Sequence, residues 1–368
     1  MKQRLFLFCL LFFICSCGNK TTVTTVLDLF DETTNLSYKT LNIQDKSDIL
    51  LSPEGIEIKD NLMITLDGRS IKFFSLIDTK TNVLVKSWGD KGQGPGEIVG
   101  LLDFYRNYNN TGINAWDPIL RRLNFYSFEN ILENDNPLPI DLLSDVKSIK
   151  EVNNFEGFFP NVLQLNETLF LGTGNNLQKR FTLIDAKNQI KVSVGGYPEA
   201  DKGEDVIPVL RNQAYNGMVR YNPEQNKVVY LSYESEMLEI FQVKDTCLDL
   251  VHGNYTTVPK YTFVSDERGP RVEIEKFTNG KGCFITMAVS DKKIFALYQQ
   301  YSGTESDSDI TAFTSKAADY VLVFDWDGKP VQKCKLDCFV SEIQYDEKSN
   351  RLYAVKSKPD PELVYFEM

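Results

Sequence analysis

The sequence predicts an all-β fold, a six-bladed β-propeller of four-stranded antiparallel blades, and three observations carry that expectation. Five segments share one pattern: a β-rich run, an acidic residue, a turn and a second β-rich run, beginning at Phe73, Leu123, Phe181, Leu238 and Tyr320. Their acidic anchors, Asp78, Glu129, Asp185, Asp245 and Asp325, are separated by 51, 56, 60 and 80 residues, and a period near 50 marks an array of one supersecondary unit. Each unit has two further strands upstream, as in GMVRYNPEQNKVVYLSY from Gly217 and CFITMAVSDKKIFALYQQ from Cys283, split by turn pairs such as Pro223-Glu224 and Asp291-Lys292. Finally, the chain stops at Met368 one strand short of a complete last unit, while LSYKTLNIQ from Leu36 is an orphan near the start. Pairing the orphan with the last unit covers a bare edge and closes the ring.

Several strands are apolar on both faces, as expected where neighbouring sheets cover them on both sides. No sustained 3.6-residue periodicity competes, and four-stranded units stacked about an axis make a propeller. The region from Asn134 to Glu156 fits worst, and its blade is left without an assigned fourth strand.

The N-terminus carries Lys2 and Arg4 and then an apolar run from Leu5 to Ile14, about half the length of a membrane span, which reads as a secretory signal. Ile14-Cys15-Ser16-Cys17 resembles a lipobox, which implies diacylation of the Cys17 sulfur and cleavage before it. The expected organisation is a signal peptide over 1–16, a lipidated flexible tether over 17–35 and the propeller over 36–368. The membrane is met through the lipid alone, at the outer membrane of the cell envelope.

Of seven cysteines, Cys9 and Cys15 leave with the signal, Cys17 is lipidated, and Cys247, Cys283, Cys334 and Cys338 remain. In one extended strand the Cα atoms of Cys334 and Cys338 lie roughly 13 Å apart, beyond disulfide reach. Free thiols are expected, because a core this large does not need the staples of small secreted domains. Net charge is −11 and the sequence pI about 4.9, without a basic block, which argues against nucleic acid as a partner.

Motifs for catalysis are sparse. Gly92, Gly94 and Gly96 do not have GxGxxG spacing and read as a tight turn. Glu305, Asp307 and Asp309 lack the glycine and terminal glutamate of an EF-type calcium loop. His252 is the sole histidine and GxSxG is absent, so neither a His-based zinc site nor a serine triad is supported. Glu54, Asp67, Glu97, Asp103 and Asp117 are candidate axial carboxylates, with structural or solvent roles favoured.

WGDKGQGPGE (Trp88–Glu97), taken with FDWDGKPVQK (Phe324–Lys333), is similar to NHL-type and TolB-like six-bladed propellers, especially exported lipoproteins carrying a GxGPGE loop. The architectural resemblance covers residues 36–368. It departs from NHL repeats at Asp67-Gly68-Arg69, where the spacer before the arginine is short and the usual inter-blade salt bridge is not expected. The TolB-like resemblance implies protein contacts and no family-wide activity.

Strand polarity sends the connections between blades, and those between each blade's second and third strands, to one face. Asp90–Gly96, Tyr197–Asp205, Gly253–Gly282 and Tyr301–Ala318 would all lie there, and loop length beyond what closure requires is commonly functional. The expected function is a non-catalytic, monomeric, cofactor-free binding module whose partner is a protein or a glycan. Arg69 and Glu97, the tyrosines Tyr197, Tyr255, Tyr261 and Tyr301, and the pair Arg268 and Arg271 form the candidate binding face, residue types that suit interface hot spots. The alternatives are a divalent-metal-dependent lactonase or lyase built on axial carboxylates, or a polysaccharide-binding module with exposed aromatic platforms.

Overall fold

Six four-stranded antiparallel blades surround a central axis in the computed structural model, which describes residues 25–44, 51–101, 103–143, 159–174, 179–185, 191–198, 208–267, 269–274, 281–300, 317–357 and 359–368. The innermost strands are Gly55–Lys59, Asp103–Arg106, Val162–Gln164, Gly217–Asn222, Gly282–Val289 and the second half of Pro330–Asp346. That last strand is continuous over 17 residues; its first half closes the fifth blade and its second half opens the sixth. The second blade finds its fourth strand in Ile140–Asp141, after a short helix, Phe128–Glu133.

Strands form because their neighbours bury both faces. Gly112–Asp117 is buried at every position, and Leu169–Thr173 likewise. Six clusters of buried side chains account for the core, one between each pair of neighbouring blades. Between the first and second blades, Phe74 stacks on Trp88 at 5.3 Å and meets Tyr126 edge-on at 5.5 Å. Between the second and third, the Trp116 indole donates to the Phe159 carbonyl at 2.9 Å. Aromatic pairs of this geometry add to the area they bury.

The two faces differ. Most turns on one are minimal, and Asp60, Asn82, Asn226 and Asn350 take the positive φ that tight turns demand. The other carries the long connections, including the helix Pro208–Ala214 and an inserted hairpin, Tyr261–Asp266 with Gly269–Ile274, which packs on that helix.

Closure is more extensive than the orphan strand suggested. Lys39–Thr40, inside the predicted segment, pairs antiparallel with Glu362–Glu367 as the fourth strand of the sixth blade. Upstream, Thr33–Leu36 pairs in parallel with Lys333–Leu336 on the edge of the fifth blade. Val26–Leu29 forms a capped 3₁₀ turn whose Val26 and Leu27, with Phe30, are buried between the fourth and fifth blades. Downstream, Leu41 and Ile43 pack between the sixth and first. A tether over 17–35 therefore needs correction: from Thr25 the chain is part of the fold, because its apolar side chains have a groove between blades to enter.

The four described cysteines are free thiols; Cys334 and Cys338 share one extended strand, the arrangement in which their spacing puts them beyond disulfide reach. His252 lies in an outer strand against Gly328, where a Cβ would strike the imidazole.

Candidate functional site

Inward-facing side chains from all six inner strands line a cavity of about 860 Å³ along the axis. Its lining runs from Arg69 and Glu234 on the loop-bearing face to Asn107 and Asp291 on the other. The strand Gly217–Asn222 contributes Met218, Arg220, Tyr221 and Asn222 to this wall.

Both guanidinium groups of the inner strands, Arg106 and Arg220, face carboxylates. Arg220 grips Asp103 with both terminal nitrogens, at 2.7 and 2.9 Å, from the fourth blade to the second. Burial opposes the Arg220 charge, but Asp103 and Glu57 hold its pKa above the ordinary value. Arg106 Nε lies 3.3 Å from Glu57 Oε2 without the alignment of a hydrogen bond. Burial pushes the Glu57 carboxyl up, and Arg106, Arg220 and Gln344 pull it back in part. Thr286 donates to Glu342 at 3.0 Å. The result is a belt of opposed charges in which each guanidinium is committed to a carboxylate.

Of the candidate axial carboxylates, only Asp103 reaches this belt, and Glu54 stands at the mouth. Asp67 and Asp117 end the second strands of their blades and accept from backbone instead. Asp67 takes the Ser52, Arg69 and Ser70 amides, and Asp117 takes Val99, Gly100, Ile119 and Leu120. A buried inter-blade salt bridge does exist elsewhere: Arg180 Nη2 lies 2.5 Å from Glu239 Oε2, with both side chains almost fully buried.

The binding face is partly redrawn. Arg69 is exposed at the cavity mouth. Tyr255 is 40% exposed and donates to Glu239 at 2.7 Å. Tyr261 is half-buried against Tyr215 and Phe263, and Arg271 is tied to Asp266 and Glu273 of its own hairpin. Tyr197 is a correction: it is buried, bonded to Asn212 at 2.5 Å and packed edge-on against Tyr215, so it supports the face from within. Glu97 is half-buried and turned toward its own loop. Its carboxylate folds back to accept the Gly94 amide, and a Cβ at Gly92 would collide with it, which is why the loop needs its glycine there. Arg122 donates to the Gly94 and Glu97 carbonyls from the neighbouring blade, so the loop is a blade-to-blade clasp. Cys17, Arg268 and Tyr301 lie outside the described residues, as do Glu305, Asp307 and Asp309.

Glu57, Arg106, Arg220 and Glu342 were missed by reading motifs. Their signal was a charged residue within a short run of mostly apolar inner-strand residues, as in GIEIK, DFYR and GMVRYN.

Comparison with solved structures finds the same architecture. A Bacteroides fragilis protein thought to be exported aligns at a TM-score of 0.51 with 12% identity, over 90% of this chain and 94% of that one. A member of the DUF4221 family from Bacteroides vulgatus aligns at 0.50 with 10% identity, over 91% and 98%. At such identities the likeness is one of fold. No curated protein matches. The TolB-like 6-blade propeller-like family model matches residues 30–348, nearly the whole described ring, and the chain belongs to that family.

Proposed function

We propose that this chain is an exported lipoprotein, held at the outer membrane through Cys17, whose propeller binds a protein or ligand on its loop-bearing face. One observation carries the reading: the longest described connections and the Arg69 end of the axial cavity share a face, while the opposite face is mostly tight turns. The ion-paired state of Glu57 and Asp103 favours binding over a metal-centred reaction, since their oxygens already face guanidinium groups. Tyr255, 40% exposed, and Phe263, 37% exposed, offer apolar contact area beside Arg271.

The test is affinity capture from envelopes of producing cells, with thermal melts in parallel. Arg69→Glu should lower capture of a specific partner at least about tenfold without lowering Tm, since exposed charges carry little stability; replacement of residues 261–274 by a two-residue turn should lower capture as much, with some loss of Tm because Tyr261, Val272 and Ile274 pack on the core. Lys80→Glu, on the opposite face, should leave capture unchanged. Equal capture by all variants, or loss confined to Lys80→Glu, would overturn the face assignment.

A further inference from the structure

The N-terminal segment enters the fold at one defined place. Val26 donates its amide to Glu236 Oε2 at 3.2 Å, Gly282 donates to Glu236 Oε1 at 3.2 Å, and the Tyr298 hydroxyl donates to the same oxygen at 2.5 Å. Glu236 belongs to the connection between the second and third strands of the fourth blade, and Gly282 begins the first strand of the fifth. Both sit on the loop-bearing face. The Glu236 amide in turn donates to Thr257, at the root of the inserted hairpin. The anchored end of the chain thus meets the propeller on the loop-bearing face, beside Tyr255 and the hairpin.

Resting on the lipid-anchored reading proposed above, we infer that the loop-bearing face is turned toward the membrane and that its partner is the extramembrane part of a membrane-embedded protein. Reach decides the orientation. From Cys17 to Thr25 there are eight residue steps, about 28 Å when fully extended. A propeller strand of eight residues, such as Lys293–Gln300, is itself about 26 Å tall. For the opposite face to lie on the bilayer, the tether would have to run from its entry point to the rim and then down the full height of a blade. Eight steps do not cover both legs, so the face that receives the tether is the face held near the bilayer.

Charge decides the occupant. From Tyr255 to Ile274 the sequence holds Asp266, Glu267 and Glu273 against Lys260, Arg268 and Arg271, so its charges balance, and Arg271 is bound to Asp266 and Glu273. A surface built for anionic headgroups needs an excess of Lys and Arg over Asp and Glu, and in this region the two are equal in number. Its exposed aromatic rings, rimmed by carboxylates, suit a protein surface bearing apolar side chains and basic residues.

Two measurements test this. First, the lipidated full chain is bound to vesicles of phosphatidylethanolamine and phosphatidylglycerol containing a trace of acceptor-labelled lipid. A donor dye is introduced through an unnatural amino acid at position 263 or 329, one site on each face. Transfer should be at least about twofold greater from 263; equal or reversed transfer overturns the orientation while the anchor stands. If the parent chain does not float with vesicles and Cys17→Ser behaves identically, the anchor reading falls and this inference with it. Second, a photoreactive benzoylphenylalanine at 262 or 263 should cross-link in cells to a protein that stays in the bilayer after carbonate washing, and the same group at 80 or 329 should not. Cross-links from 263 only to lipid or to soluble proteins overturn the assignment of the partner.

Discussion

Glu236 does at the residue scale what a disulfide or a metal does elsewhere: it ties distant segments of the chain to one group. The side chain is fully buried and accepts from Val26, Gly282 and Tyr298. Glu236→Ala leaves those donors without an acceptor and should cost about 2–4 kcal/mol in urea unfolding, since an unsatisfied buried donor is more expensive than the bond was worth. Burial raises the carboxyl pKa of Glu236, Glu57 and Glu234 above the ordinary value of 4.5. A carboxyl whose pKa is higher in the folded state binds more protons there, so its contribution to stability is full below the unfolded pKa and is lost as pH rises through the folded one. These three groups therefore favour stability as pH falls from neutrality toward 4.5, against the usual acid weakening. Glu234, raised by burial alone, is the cleanest test: Glu234→Gln should raise Tm at pH 7 by about 2 °C and reduce the change in Tm between pH 7 and 5. An unchanged pH profile would remove Glu234 from that account.

At the scale of elements, the N-terminal strap is the feature that repeat counting underestimated. Phe30 meets Phe324 edge-on at 5.3 Å, and the Leu27 and Phe30 carbonyls accept from Lys333 Nζ at 3.3 and 3.2 Å. Phe30→Ala should cost about 3 kcal/mol by denaturant titration, the loss expected for a buried ring whose groove cannot collapse around the gap. Blade count, strand polarity and the closing strand were legible because a turn pair and an acidic anchor recur in successive units, at spacings of 51 to 80 residues. The strap was not, because VLDLF is too short for periodicity to declare itself and follows threonines that resemble a tether. The site was legible only in part. Tyr197 and Glu97 have the composition of a binding surface, yet whether a tyrosine on a loop faces solvent or packs under a helix depends on contacts made by residues far away in the chain. Arg220 and Asp103, 117 positions apart, show the same limit: either charge is visible in the sequence, but their bidentate pairing is set by the ring.

The whole molecule is a ring of six interfaces, and the strap crosses or borders several of them. It fills the groove between the fourth and fifth blades, edges the fifth and sixth, and ends between the sixth and first, where Gln44 bridges to Val83. In a linear array of repeats each unit contacts only its neighbours, and ends can fray independently. A closed ring has no end, so loss of one blade exposes both adjacent clusters and the cost is shared around the circle. The parent chain should accordingly unfold in one calorimetric transition, with van't Hoff and calorimetric enthalpies equal. Removing residues 25–44 uncovers the apolar groove that holds Val26 and Phe30 and leaves Glu362–Glu367 as a bare edge, so the first and sixth blades are left with only their direct side-chain packing while the second to fourth keep their mutual contacts. The expected outcome is a broader melt split into two components, with the weaker one sensitive to protein concentration because the uncovered strand can pair between molecules. A single sharp transition at the parent's Tm would mean that the blades close the ring by side-chain packing alone and that the strap serves only to carry the anchor to its face.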